Sequence, residues 1–137
     1  MLIGCVSLVP IKPAWQGDFR QVAAINCHKG RGIILPGGRW EEGQELFEEA
    51  AAREFREETG HLLVGLPKLF WQGFTLRGSY TYTFLSSCPH YKFGNLSPEG
   101  DETRWALWPD LLKSEFRAYY SLLRQHIESL GYYTGED

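Results

Sequence analysis

Three glutamates carry the strongest chemical signal in this chain. Glu54, Glu57 and Glu58 lie in the run Arg53-Glu54-Phe55-Arg56-Glu57-Glu58, and their i, i+3, i+4 spacing puts them on one face of a helix. Eight of the seventeen acidic residues fall between Glu41 and Glu58. Like charges at that spacing repel, and they cluster towards the C-terminal end of the helix, where the dipole is already negative. A positive partner is needed, and a hard divalent cation that takes oxygen ligands suits the site best. A solvated helix face neutralised by Arg53 and Arg56 would account for the charges alone. The Pro36-Gly37-Gly38 turn just upstream and the Arg-Glu pattern favour the metal.

The glutamates need a helix to hold them. The spacing predicts one over about Gln44–Thr59, with Leu46, Phe47, Ala50, Ala51 and Phe55 on the buried face and Gly60 as the C-terminal cap. Glu45, Glu49, Arg53 and Glu57 form an i, i+4 ladder along it. Strands are expected over Leu2–Val9, Phe19–Cys27, Ile33–Leu35, Leu62–Leu66, Leu69–Leu76, Ser79–Ser86 and Thr103–Trp108. Between them lie a loop from Pro10 to Gly17, a tight turn at Pro36-Gly37-Gly38 and a long connection from Ser87 to Asp101. A second amphipathic helix runs from Pro109 through Phe116, Tyr119, Leu123 and Ile127, ending at Gly131, and the last residues read as a frayed tail.

Composition sets the class. A chain of 137 residues with 43% apolar residues is expected to form one domain, residues 1–137, with its own core. The net charge of −3 gives no basic field for a long nucleic acid, so a small phosphorylated ligand is the expected partner. Cys5, Cys27 and Cys88 are odd in number and lack a C-x-x-C pair, which reads as reduced thiols. The apolar start has no basic leader and is interrupted by Pro10 and Pro13, and no run is long enough to span a membrane. The expected location is cytoplasmic, as a monomer or homodimer.

Glu45, seven intervening residues and then Arg53-Glu54-Phe55-Arg56-Glu57-Glu58-Thr59-Gly60 resemble the Nudix box, G-x5-E-x7-R-E-U-x-E-E-x-G-U, where U is a bulky apolar residue. Leu35-Pro36-Gly37-Gly38 resembles the family's usual lead-in. There are two departures. Six residues separate Gly38 from Glu45, so either the loop is one residue longer or Gln44 takes the glutamate's place; the intact spacing to Arg53 favours Glu45. His61 stands at the final apolar position.

The resemblance implies an α/β Nudix fold, a mixed sheet sandwiched between helices. It also implies Mg²⁺- or Mn²⁺-dependent hydrolysis of a diphosphate bond in a nucleoside diphosphate derivative, by water attack at phosphorus. Glu54, Glu57 and Glu58 would hold the metal, with a Gly37 or Gly38 carbonyl. Arg53 would brace the helix against Glu45. Glu54 is one candidate general base, and an acid before the last strand, Glu102 ahead of Glu99, is another.

Outside the box, Arg20, Lys29, Arg31 and Arg77 are candidate phosphate contacts, with Arg31 preferred for its closeness to the glycine turn. Trp15, Phe19, Trp40, Tyr80 and Tyr82 are candidate base-stacking groups, although Tyr80, Tyr82 and Phe84 also read as one packed face of a strand. The leading function is a MutT-like nucleotide pyrophosphohydrolase. Hydrolysis of nucleotide sugars, ADP-ribose, dinucleoside polyphosphates or a capped RNA end is the alternative within that chemistry. A nucleotide-sensing module without catalysis is the alternative of another class.

Overall fold

A computed structural model of the chain describes residues 4–11, 17–27, 29–40, 45–63, 65–75, 79–88, 92–93 and 101–136. Its elements run β1 (Gly4–Ile11), β2 (Gln21–Cys27), β3 (Gly32–Ile34), β4 (Gly37–Arg39), α1 (Phe47–Thr59), β5 (Lys68–Phe74), β6 (Tyr80–Ser87), β7 (Glu102–Leu107), α2 (Trp108–Leu111) and α3 (Arg117–Ser129). The strands form one sheet in the order β3-β2-β1-β6-β5, with β4 paired to β1 and β7 to β2. β1 and β6 run parallel from Gly4↔Tyr80 to Ile11↔Ser87, while the other pairings are antiparallel, so the sheet is mixed.

Helices cover both faces. On one, Ala50, Ala51 and Phe55 of α1 are buried against Ala23, Phe84 and Cys88. Small alanines bring the helix axis close to the sheet, and each fully buried aromatic such as Phe55 stabilises the packing by about 2–3 kcal/mol. On the other face, Trp108, Leu111, Tyr119, Tyr120, Leu123 and Ile127 of α2 and α3 close over Val9, Val22, Ala24 and Ala106. The alternation along β6 decides which residue serves which face: Tyr82 and Phe84 join the α1 side, and Thr83 meets the Tyr119 hydroxyl on the α3 side.

The α1 prediction is correct at its C-terminus. Gly60 caps it in the left-handed region (φ 76°), its N–H donating to the Arg56 carbonyl at 2.8 Å. At the other end Leu46 is the N-cap and is exposed, not part of the buried face.

Five expectations are corrected. β1 continues through Pro10 and Ile11, because Pro10 falls between the short pairings of β1 with β4 and with β2, where its missing N–H is tolerated. The glycine turn at 37–38 is the strand β4. None of the described residues between 61 and 67 is in a strand: Gly65 has φ +75°, which breaks the extended run, and Leu62 and Leu66 are exposed. The C-terminal helix is two, with Trp108 opening α2 rather than ending β7. The Ser114 hydroxyl donates to the Leu111 carbonyl at 2.7 Å and accepts the Phe116 N–H at 3.3 Å, competing with the helical ladder between them.

The fifth correction is the tail. Residues 132–135 are docked. The Phe19 N–H donates to the Tyr133 carbonyl at 2.7 Å, the Tyr133 N–H to Gly17 at 2.9 Å, and the Phe19 and Tyr132 rings stack at 4.2 Å. Buried Arg124 of α3 donates to the Thr134 hydroxyl and the Gly135 carbonyl, each at 2.9 Å.

Candidate active site

The chain leaves β3 at Ile34, passes Leu35 and Pro36, and enters β4 at Gly37. β4 pairs with β1 through Ser7↔Gly37 and Val6↔Gly38, and α1 lies alongside it. Two α1 glutamates meet the glycines. The buried Glu58 accepts the Gly37 N–H through Oε1 at 2.9 Å. The Glu54 carboxyl lies against Gly38 so closely that a Cβ there would overlap it. The missing side chain at Gly38 is therefore what lets α1 bring the Glu54 carboxyl onto the backbone.

Arg53 organises the remaining charge. Its Nη2 and Nε meet Glu45 at 2.7 and 3.0 Å, and its Nη1 donates to Glu54 at 3.1 Å and to Glu57 at 3.2 Å. Glu45 is thus the arginine's partner across the start of the helix, while Gln44 lies outside the described residues. Hydrogen bonding to Glu45 pushes the guanidinium further above its ordinary pKa, and Arg53 in return holds the Glu45 carboxyl below the usual range. Glu54 goes the other way: burial lifts its pKa above the ordinary carboxylate value, against the pull of Arg53.

Gly37 and Gly38 also line a cleft of about 190 Å³, together with Arg31, Ile34, Leu35, Thr75, Thr81, Phe116, Tyr119 and Tyr120. The glycine pair is common to the glutamates of α1 and to this cleft, whose wall is completed by α3. Arg31 stands in the lining, 3.7 Å from the Glu115 carboxylate. The aromatic wall was read from the sequence only as the buried stripe of a helix. Its one local signal was the adjacent hydroxyls of Tyr119 and Tyr120, which an ordinary core does not need.

The other candidates are placed as follows. Glu102 opens β7, where Arg104 donates to it at 3.0 Å through Nε. Tyr80 packs between Phe74 and Tyr82 at centroid distances of 5.0 and 5.2 Å, and Tyr82 stacks on Phe47, which meets Trp40; these rings are not among the cleft lining. Arg20 is engaged by Asp18 at 2.7 Å, Phe19 stacks on the tail, and Lys29 is an exposed turn residue. Glu99, Arg77 and Trp15 lie outside the described residues. Asp101, which precedes β7 and is buried, was not singled out from sequence. Cys27 and Cys88 are free thiols, with burial pushing Cys88 up to about 12.

Among the described residues no three carboxylate, imidazole or thiolate groups close into a ready metal cage, since Glu54 and Glu57 turn towards Arg53. The donor chemistry still suits a hard divalent ion. It consists of carboxylates and backbone at two glycines, and half-buried Glu54 carries a charge that its surroundings disfavour. Among the described residues no helix is long and apolar enough to cross a membrane.

Comparison with known proteins agrees with this geometry. No curated protein matches the chain. Among solved structures it is similar to a MutT from a study of the Aliivibrio salmonicida and Vibrio cholerae proteins, with 24% identity over 94% of this chain and 99% of that one and a TM-score of 0.66. It is similar to a C. elegans Ap4A hydrolase in a binary complex, with 20% identity over 93% and 98% and a TM-score of 0.69. It is also similar to the NUDIX domain of Shewanella oneidensis NrtR complexed with ADP ribose, with 16% identity over 95% and 88% and a TM-score of 0.66. These likenesses establish the fold. The family model for the NUDIX domain matches residues 19–125, and with the box residues arranged as above the chain belongs to the NUDIX family.

Proposed function

We propose that the protein hydrolyses the diphosphate bond of a nucleoside triphosphate or a related nucleoside diphosphate derivative, releasing a nucleoside monophosphate product. One observation carries this reading: Gly37 and Gly38 are shared between the α1 glutamates and the cleft, so a phosphate chain leaving the cleft passes the carboxylates. Nudix hydrolases generally use divalent metal ions, and we assign Mg²⁺ or Mn²⁺ to Glu54, Glu57 and Glu58 with the backbone of Gly37 and Gly38. When bound, such an ion offsets the charge of the diphosphate and acidifies the attacking water.

The chain's own groups do the rest. Glu54 takes the proton of the attacking water on its carboxylate, a role that its raised pKa favours. We prefer it to Glu102, whose carboxylate Arg104 engages. Arg53 sets the positions of Glu54 and Glu57, and Arg31 meets a phosphate at the cleft. Phe116 and Tyr119 wall a space smaller than the roughly 300 Å³ at which drug-sized sites begin, enough for a nucleobase with its phosphates outside.

A substrate panel tests this: ordinary and oxidised nucleoside triphosphates, ADP-ribose, sugar nucleotides and dinucleoside polyphosphates, each with and without Mg²⁺, read by phosphate and monophosphate release. Divalent-dependent turnover of triphosphates above the others is expected. Absence of turnover with every substrate, with Mg²⁺ still bound, would overturn catalysis in favour of a nucleotide sensor.

A further inference from the structure

The turn that carries the two glycines is held from both faces of the sheet. Pro36 has no N–H, so the backbone donors of the stretch Leu35–Gly37 are those of Leu35 and Gly37 alone. The Gly37 N–H goes to Glu58 of α1 at 2.9 Å. The Leu35 N–H goes to the Tyr120 hydroxyl of α3 at 2.8 Å, across 85 residues of chain. Tyr120 is only 3% exposed, and its ring belongs to the apolar cluster under α3. Burial and the nearby Glu58 charge keep its phenol neutral, well above the ordinary tyrosine pKa.

We infer that Tyr120 is a positioning residue for the reaction: by fixing the Leu35 N–H it sets where Gly37 meets Glu58 and where Gly38 meets Glu54. It lines the cleft and acts on the carboxylates through the turn. The alternative, that Tyr120 merely fills the core, needs only the ring and leaves the hydroxyl idle. The hydroxyl is not idle. It satisfies a buried backbone donor at the entrance of the turn that orders the site. The inference rests on the assignment of the divalent ion to this turn made above.

The test compares wild type, Tyr120→Phe and Thr134→Val. The phenylalanine keeps the ring and removes the acceptor. The valine weakens the far end of α3 by removing the hydroxyl that Arg124 meets, and serves as a control for stability alone. Three readouts are taken: Mn²⁺ binding without nucleotide by water-proton relaxation, amide exchange at Gly37 by NMR, and kcat and KM for the best substrate. Tyr120→Phe is expected to weaken Mn²⁺ binding about fivefold or more, to speed Gly37 exchange about tenfold, and to lower kcat about tenfold with KM within a factor of two. Thr134→Val lowers Tm and leaves the three readouts at wild-type values. Wild-type Mn²⁺ affinity and Gly37 exchange in Tyr120→Phe overturn the inference, whatever its Tm. If the wild type turns over nothing and Tyr120→Phe still loses Mn²⁺ affinity and Gly37 protection, the hydrolase reading falls and the positioning role stands.

Discussion

Gly38 and the Glu54 carboxylate share one volume: the space a Cβ would fill at Gly38 is taken by the end of the glutamate side chain. Gly38 does not have the positive φ that would by itself demand glycine, so contact alone forbids a side chain here. Gly38→Ala is expected to push Glu54 off the strand while the sheet stays intact. Turnover should fall about a hundredfold with a stability loss of about 1 kcal/mol, because a flexible side chain yields more easily than backbone. Steady-state kinetics alongside chemical unfolding checks this; a variant with full activity shows that Glu54 can work from elsewhere.

Much of this arrangement was legible in the sequence. The helix and its cap at Gly60 follow from spacing that local geometry enforces. The Arg53–Glu45 pairing, eight residues apart and reaching back past the N-cap, was legible only through the resemblance to the Nudix box. The short strand at Gly37–Arg39 was not legible, because its extended form is imposed by pairing with β1 rather than by the glycines' own preferences. Tyr120 was hidden for a related reason: helical periodicity places its ring in the core but says nothing of a hydroxyl that reaches a backbone 85 residues away. The apolar run Leu62–Leu66 misled, since composition favours a strand and Gly65 alone decides against it. The docked tail depends on Arg124, whose burial no local signal announces.

Glu54 sets function against stability. Its pKa is raised in the fold, chiefly by burial, so above its unfolded value, near 4.5, the ionised carboxylate destabilises the native state. Glu54→Gln is therefore expected to raise Tm at pH 7 while turnover falls by about three orders of magnitude, if it is the base. The sign with pH follows. As pH drops and the wild-type carboxyl takes up its proton, the penalty disappears and the Tm difference between the two proteins closes. A Gln variant less stable than wild type at pH 7, with that deficit closing as pH falls, would instead mean that Arg53 outweighs burial. Glu57→Gln removes a ligand and a local repulsion, and should likewise cut turnover by orders of magnitude with the fold intact.

Arg53 gives the opposite pH signature. Hydrogen bonding to Arg53 depresses the Glu45 pKa below the ordinary 4.5, so the pair's stabilisation is present above that value and lost as pH falls through the depressed one. Arg53→Ala should lower the urea midpoint at pH 7, with Glu54 and Glu57 left facing each other, and the gap to wild type should shrink below about pH 4. Because the arginine is partly exposed, the loss at pH 7 is expected at about 1–2 kcal/mol rather than the value for a fully buried pair. Turnover falls more steeply than stability. A urea series at the two pH values, with kinetics at pH 7, separates the brace from the chemistry.

The docked tail makes a prediction about stability without chemistry. Tyr132 stacks on Phe19, the Tyr133 backbone exchanges hydrogen bonds with Gly17 and Phe19, and Thr134 and Gly135 satisfy Arg124. Ending the chain at Gly131 removes all of these, while the Glu128 carboxylate stays 3.2 Å from the Arg124 Nε. The two hydrogen bonds that the Arg124 guanidinium gives up are the largest single loss, so the truncated protein should be about 2–4 kcal/mol less stable. Replacing Arg124 with Met in the truncated chain fills the same volume without the charge and should recover part of that loss. None of these contacts reaches the glycine pair or the cleft, so kcat and KM per folded molecule should stay at wild-type values below the unfolding temperature. Calorimetry of the full, truncated and Arg124→Met truncated chains, with kinetics on each, decides it: a truncated protein of undiminished Tm would show the clasp to be idle, and one with altered KM would tie the tail to the cleft.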